Sequence, residues 1–333
     1  MAALIDFTNC PVNRLKLFGG ANGNKISITY AGDNYMLKFP HRPRKNPMAS
    51  YTNSCISEYL ACHIIQSLGI STQETLLGTY NGKVVVACKD LETNGYLLED
   101  FAYLKNAIVD SEQNGYGTEL AEIMQTFDEQ QIISTDKLKV YFWDMLIADA
   151  FVGNFDRHNG NWGFLINQAT GDVQLSPIYD CGSCLYPQLD DAGMANVLND
   201  PEKIRDRLYV FPTSAIYVNG KKLNYAEFLA TTQNEDCLAA LQRIAPRIDL
   251  AKIGSIINNT PSLSDTQVDF YKTMLAQRNA CIIVPALERA RAIDHIQATA
   301  PSLHQICADA KDRAAEINAE KAAVARQPER ERE

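Results

Sequence analysis

Asp156, Asn161 and Asp180 are the side chains whose type and spacing suggest chemistry. They stand in Gly153-Asn154-Phe155-Asp156-Arg157-His158-Asn159-Gly160-Asn161-Trp162 and in Pro177-Ile178-Tyr179-Asp180-Cys181-Gly182. Phosphoryl transfer needs one carboxylate to orient an attacking hydroxyl and accept its proton. It also needs oxygen donors that hold Mg²⁺ against the β- and γ-phosphates of ATP. An Asp with an Asn five positions later, and a second Asp within Asp-x-Gly, offers that set. Asp156 is the candidate catalytic base, and Asn161 and Asp180 are the candidate metal ligands.

A nucleotide also needs cations and backbone donors. Phe18 to Lys25 is a glycine- and asparagine-rich loop in which Gly19, Gly20 and Gly23 would let the backbone approach phosphates. Taken alone, such a loop is an ordinary turn. Its place before a strand carrying Lys38, an ammonium within Met-Leu-Lys-Phe-Pro, gives it weight. Lys38 would bridge the α- and β-phosphates, or else extend to solvent. Glu58, on the first expected helix, is the natural ion-pair partner for Lys38. Val84 to Asp90 is expected to connect two lobes, with its backbone available to adenine and Asp90 available to the ribose.

These groups require elements to position them. Lys25–Tyr30 alternates with a period of two, Ala31-Gly32-Asp33-Asn34 supplies a turn, and Tyr35–Phe39 resumes the strand. Ile56, Tyr59, Leu60, His63, Ile64 and Leu68 fall at helical spacing, with Gly69 as a stop. Thr75–Tyr80 and Lys83–Cys88 flank Asn81-Gly82, a strong hairpin signal. From about residue 95 the pattern reads as mainly helical, clearest at 120–127 and at 137–151, the latter leading into the Asp156 loop. A short strand pair is expected at 162–167 and 173–175. Further helices are expected at 225–231, 236–244, 250–257 and 266–293, the last kinked by Pro285. The fold class is therefore α+β and bilobal: a small β-rich lobe over 1–90, a larger helical lobe over 91–305, and a charged helical or disordered tail over 306–333. The nucleotide cleft would lie between the lobes.

The whole-chain properties narrow the function classes. The chain has 333 residues, 46% hydrophobic and 21% charged, as in ordinary globular proteins. A formal charge of −9 argues against general binding to nucleic acid or anionic membranes, although His41-Arg42-Pro43-Arg44-Lys45 is locally basic. Nine scattered cysteines, an odd number in a long chain, favour a reducing compartment over a disulfide framework. No signal-like N-terminus and no membrane span is read, so a cytoplasmic location is expected; export without a signal would leave no trace.

Two motifs invite other chemistry. Cys181-Gly182-Ser183-Cys184 is a C-x-x-C, which suits a redox centre or half of a zinc site, but the second half of a zinc site is missing and no thioredoxin-like unit surrounds it. His158 could be a general base, although a bracing role in the loop fits its position better.

Together Asn154 to Asn161, Pro177 to Ser183 and Leu37-Lys38-Phe39-Pro40 resemble the HipA-like serine/threonine kinases, the toxin kinases of bacterial toxin–antitoxin pairs and their solitary relatives. Ser57-Glu58-Tyr59 and Val85 to Asp90 add to the resemblance, which spans about residues 14 to 290. It implies a kinase-like fold, ATP and Mg²⁺ as cofactors, and transfer to a serine or threonine of a protein. It carries over Asp156 as base, Asn161 and Asp180 as metal ligands, Lys38 as the phosphate contact and 87–89 as the adenine connector. The ATP-binding set then comprises Gly19, Gly20, Gly23, Lys38, Glu58, Ala87, Cys88, Lys89, Asp90, His158, Asn161, Tyr179 and Asp180. An antitoxin partner is a further implication. Longer members carry an extra N-terminal subdomain that is not expected here. Several autophosphorylate a serine in the glycine-rich loop, whereas residues 18–25 hold no Ser or Thr and Ser27 lies just beyond. Known substrates of the family include aminoacyl-tRNA synthetases and, for other members, proteins of host cells. A kinase acting on a small molecule, or a non-enzymatic nucleotide-binding regulator, remain alternatives.

Overall fold

Local turn chemistry accounts for the first sheet. The computed structural model describes residues 4–16, 18, 25–40, 53–109, 113–299 and 311–316. Strand β3 (Lys25–Tyr30) turns through Ala31 and Gly32, both at positive φ, into β4 (Asp33–Lys38). Strands β5 (Thr75–Tyr80) and β6 (Lys83–Lys89) are joined the same way through Asn81 and Gly82. Two consecutive positive-φ residues give the turn whose twist matches that of the flanking strands. With β1 (Ile5–Asp6) and β2 (Val12–Asn13), these build a six-stranded sheet ordered β1-β5-β6-β4-β3-β2.

The alternation of side chains divides this sheet into two faces. Phe7, Ile28, Tyr35, Leu37, Val85 and Ala87 pack together on one. Val86 and Cys88 pack with Cys55 of helix α1 (Ser54–Ser67) on the other, the face to which Lys38 belongs. Helix α1 buries Ile56, Leu60 and Ile64 of the expected stripe, half-buries Tyr59 and His63, and buries Ile65 and Glu58 as well.

Beyond residue 90 the structure departs from the mainly helical expectation. Tyr96–Asp100 is a strand, β7, introduced by Asn94 and Gly95 at positive φ. It pairs antiparallel with β8 (Gly163–Asn167), which pairs in turn with β9 (Asp172–Leu175). A five-residue run whose partner lies more than 60 residues away has too few periods to be told from the start of a helix. Helices α2 (Phe101–Ile108) and α3 (Leu120–Glu129) follow β7. Helix α4 (Thr135–Val152) is buried on nearly every side over its second half and ends at Gly153, whose left-handed conformation turns the chain out into the loop that bears Asp156.

Helices α5 (Asp191–Leu198) and α6 (Pro201–Tyr209) lead to a small hairpin, β10 (Tyr217–Val218) and β11 (Lys221–Lys222). Helices α7 (Tyr225–Thr231), α8 (Glu235–Ile244), α9 (Leu250–Asn259), α10 (Asp265–Arg278) and α11 (Val284–Thr299) follow. The long helix expected at 266–293 is interrupted earlier than its proline. A π-helical turn occupies Asn279–Ile283, and α11 begins at Val284 with Pro285 in its first turn. Proline has no N–H to give to the preceding turn, and it is tolerated where a helix starts.

The chain forms two compact units, Met1–Glu288, which contains all of the site, and Arg289–Glu333. In the second, residues 311–316 are helical, and most of the expected charged tail lies outside the described residues. Among the described residues no helix is long and apolar enough to cross a membrane.

Candidate active site

Lys38, at the end of β4, is the meeting point. Its Nζ lies 2.9 Å from Glu58 Oε2 and 2.9 Å from Asp180 Oδ1. The residues involved are 20 and 142 positions away in sequence. Burial works against the ammonium, yet the Asp180 and Glu58 carboxylates outweigh it and hold the Lys38 pKa well above its ordinary value. Lys38 in turn draws the Asp180 carboxyl down to about 2. Asp180 is thus firmly ionised, and 42% of its side-chain surface is open. Glu58, almost wholly buried, has its pKa raised by that burial, against the pull of Lys38.

Glu58 does a second thing. Its Oε1 accepts the Cys181 N–H at 3.0 Å, so one carboxylate holds both the lysine and the backbone next to Asp180. The Gly of Asp-x-Gly follows from this approach: a Cβ on Gly182 would stand 3.1 Å from Glu58 Oε2. Asp180 itself adopts a left-handed φ of 56°, a conformation that a short polar side chain tolerates best.

The Asp156 loop is built from local hydrogen bonds. Asn154 Oδ1 accepts the Asp156 N–H at 3.0 Å, and Asp156 O accepts from the His158 N–H at 2.8 Å and from Asn161 Nδ2 at 2.8 Å. The last bond sets the Asn161 amide so that its oxygen is the end left for a ligand. Asp156 itself is exposed, while its walls remove enough water to raise its pKa, opposed by the nearby charge of His158 and, more weakly, Arg157 and Lys222. His158 braces the loop as expected, its Nδ1 accepting the Gly160 N–H at 3.1 Å.

Arg157 locks this loop to Asp180's loop, and sequence reasoning missed it. Its guanidinium is buried on Asp149 of α4, with Nε 2.9 Å from Oδ2. Its Nη1 donates to the carbonyls of Asn161 (2.7 Å) and Tyr179 (2.5 Å), the backbone at the two candidate metal ligands. The available signal was an Asp on an apolar helix face eight residues before an Arg. Lys25 was also missed. It faces Lys38 across the β3–β4 ladder, and its charge helps to depress the Asp180 pKa.

At the expected adenine connector the backbone is already engaged in hydrogen bonds. Ala87 and Cys88 sit in the middle of β6, paired on one side with Leu37 and Met36 and on the other with Leu76 and Thr75. A strand paired on both edges has no backbone donors to spare. Lys89 donates its N–H to Glu74 O, its carbonyl accepts from Gln73 Nε2, and its ammonium pairs with Asp33 and Glu74. The Asp90 N–H is taken by Asn34 O, which makes the Leu91 N–H the first in this stretch with no hydrogen bond to a described residue. Cys88 lies near Lys38 and Glu58, whereas Ala87 is on the opposite face. Asp90 is buried and pairs with Lys16, so its carboxylate already has a cation. Tyr179 reaches Gly160 O with its hydroxyl at 3.4 Å, and burial raises its pKa. Gly19, Gly20 and Gly23 lie outside the described residues. Ser27 is buried in β3.

The C-x-x-C is part of this architecture. Cys181 Sγ accepts from Arg157 Nη2 at 3.5 Å, and hydrogen bonds from Cys184 and Cys62, with that guanidinium, lower its pKa well below the ordinary thiol value. Among the described residues no group of three or more His, Cys, Asp and Glu side chains could hold a metal ion by itself. One carboxylate and one amide oxygen nevertheless suit a hard cation whose remaining ligands come from a triphosphate.

Residues 17–250 match the family described as the HipA-like C-terminal domain. The chain belongs to this family. This HipA-like chain is 52% identical over 287 residues to the serine/threonine-protein kinase CtkA of Helicobacter pylori strain J99, covering 86% of this chain and 88% of that one. It superposes on the crystal structure of a Helicobacter pylori proinflammatory kinase CtkA with a TM-score of 0.80 at 47% identity, over 87% of this chain and 99% of the other. The Shewanella oneidensis HipA, solved with HipB and operator DNA, shares the fold at 13% identity (TM-score 0.52, 83% of this chain and 70% of that one). The HipA-like chain is a kinase in fold and in family, and the expected bilobal α+β class holds.

Proposed function

We propose that this kinase transfers the γ-phosphate of ATP to a serine or threonine hydroxyl of a protein, with Asp156 as the base. The observation that carries this reading is the convergence of Lys38 on Glu58 and Asp180, beside a loop that presents Asp156 and Asn161. Asp156 is open to an acceptor and accepts the proton of its hydroxyl at the carboxylate. Lys38 and Lys25 supply positive charge where the triphosphate lies, and Glu58 keeps Lys38 from swinging to solvent. Asn161 Oδ1 and the Asp180 carboxylate would hold Mg²⁺, which when bound neutralises the charge of the phosphates. Arg157 keeps the two loops at a fixed separation, so that these oxygens need not reorganise during transfer.

The test is transfer of labelled ATP by purified wild type and Asp156→Asn to a protein mixture and, separately, to a pool of small alcohols and amines. Label should enter protein with wild type only. Losing the base should lower kcat by roughly 10²-fold or more while the Kd of Mg-ATP stays within about threefold. Label entering only the small molecules, or Asp156→Asn retaining wild-type turnover, would contradict the proposal.

A further inference from the structure

A cavity of about 400 Å³ lies between the start of α2 and the catalytic loop. Glu99, Asp100, Tyr103 and Tyr116 form its outer walls, and Gly160 and Tyr179 form the side towards the catalytic groups. Gly160 is in the same turn as Asp156, and Tyr179 immediately precedes Asp180. The recess therefore opens beside the place where an acceptor must sit.

Its chemistry is one-sided. Among the described residues, two carboxylates line it and no cationic side chain does. The Glu99 carboxylate makes no hydrogen bond or ion pair with a described residue. Asp100 receives one donor on each oxygen, the Tyr103 N–H at 3.0 Å and the Tyr116 hydroxyl at 3.2 Å, which leaves each oxygen able to accept another. Tyr103 and Tyr116 are 68% and 52% exposed, large aromatic faces open to solvent.

The walls are also fastened by hydrogen bonds of their own. Asn159 Nδ2 donates to Gly115 O at 2.9 Å and Gly117 O at 2.8 Å, which fastens the segment bearing Tyr116 to the catalytic loop. The Tyr116 ring stands edge-on to His158, with centroids 6.5 Å apart. A rigid recess with carboxylates and aromatic faces attracts an ammonium or guanidinium by charge, hydrogen bonds and the ring quadrupole together. It repels a triphosphate.

We infer that this recess is an acceptor subsite that selects polypeptides carrying an Arg or Lys close to the phosphorylated serine or threonine. The inference rests on the protein-kinase reading above and goes beyond it by naming the side chain that is recognised. Glu99 and Asp100 supply the charge, and Tyr103 and Tyr116 clasp the aliphatic stem and cationic head. Glu99 acts on substrate choice, not on the transferred group.

The experiment uses the full-length enzyme and a set of serine peptides with Arg, Gln or Glu at each position within four residues of the serine. Wild type should prefer Arg over Gln at one or two of those positions by about tenfold in kcat/KM, the value of a charge-assisted hydrogen bond of roughly 1.4 kcal/mol. Glu99→Gln should remove most of that preference through KM and leave both the KM for ATP and the rate on the Gln peptides unchanged. Glu99→Lys should turn the preference towards Glu. Tyr103→Ala, on an exposed wall where folding is not at stake, should weaken the Arg preference by about threefold. The preference should shrink as salt rises. Indifference to Arg in wild type, or a preference untouched by both Glu99 variants, overturns the subsite. A rise in the KM for ATP with Glu99→Gln assigns the recess to the nucleotide and overturns it as well. If wild type labels no peptide or protein but does label a small molecule, the protein-kinase reading fails together with the subsite.

Discussion

Arg157 and Asp149 offer the sharpest separation of stability from catalysis. Both side chains are 1% exposed, and they share two hydrogen bonds, Nε to Oδ2 at 2.9 Å and Nη2 to Oδ1 at 3.2 Å. Arg157→Met leaves a buried carboxylate whose remaining donor is Asn154 Nδ2 at 2.9 Å. Breaking a buried pair from one side costs about 3–5 kcal/mol, a large part of the roughly 5–15 kcal/mol that holds a domain together. Pairing it with Asp149→Asn removes the stranded charge. The double variant should then be more stable than the sum of the singles by about 2–3 kcal/mol.

Activity should behave differently. The same guanidinium holds the carbonyls of Asn161 and Tyr179, and no substitution at 149 restores those bonds. A displacement of about 1 Å between the loops is enough to lower turnover by roughly 10²-fold, so kcat should stay low in the double variant. Urea unfolding monitored by fluorescence gives the stabilities, and labelled-phosphate transfer gives kcat. Additive stabilities, within about 0.5 kcal/mol, would show that the pair is not the coupled unit described. Wild-type turnover in the double variant would show that Arg157 does not position the loops.

Lys38→Met should raise the Asp180 pKa from about 2 towards the ordinary aspartate value, because its main cause is the Lys38 charge; NMR titration of that carboxyl would report it. The same variant should raise the KM for Mg-ATP at least tenfold, as expected for a lost charge-assisted contact of about 1.5–3 kcal/mol. Since Asp156, the proposed base, can accept a proton only when ionised, log kcat/KM should fall with a slope of one as pH drops through its pKa. Burial raises that pKa, so the acid limb should lie above the ordinary aspartate range of about 3.5–4 in a pH–rate profile. Glu58→Gln should retain the fold but lose roughly tenfold or more in kcat, because an amide cannot accept from both Lys38 and the Cys181 N–H with charged oxygens. Gly163→Ala should destabilise by about 1–3 kcal/mol in urea unfolding, since its Cβ would meet Glu99 O at 2.1 Å and Asp100 Cα at 2.8 Å, backbone atoms that cannot swing aside.

What could be read from the chain alone was local. The Asp156-to-Asn161 turn closes through bonds between residues two to five apart, so residue types at fixed spacing are enough to specify it. The two hairpins were legible for the same reason, since Gly at positive φ marks the turn and alternation marks the strands. Lys38 and Glu58 could be proposed as partners because one stands on a strand and the other on the helix that must cover it.

The tertiary structure decided everything that depends on which elements are neighbours. Strand β7 exists because β8 lies beside it, and residues 145–152 of α4 are all buried, so its Asp149 could be assigned no partner from periodicity. Backbone groups at 87 and 88 are taken by strands on both sides, a fact about pairing that their own side chains do not encode. Arg157, Lys25 and the cation on Asp90 follow the same rule. Charge and hydrogen bonding act over a few ångströms in space, whereas sequence records only distance along the chain.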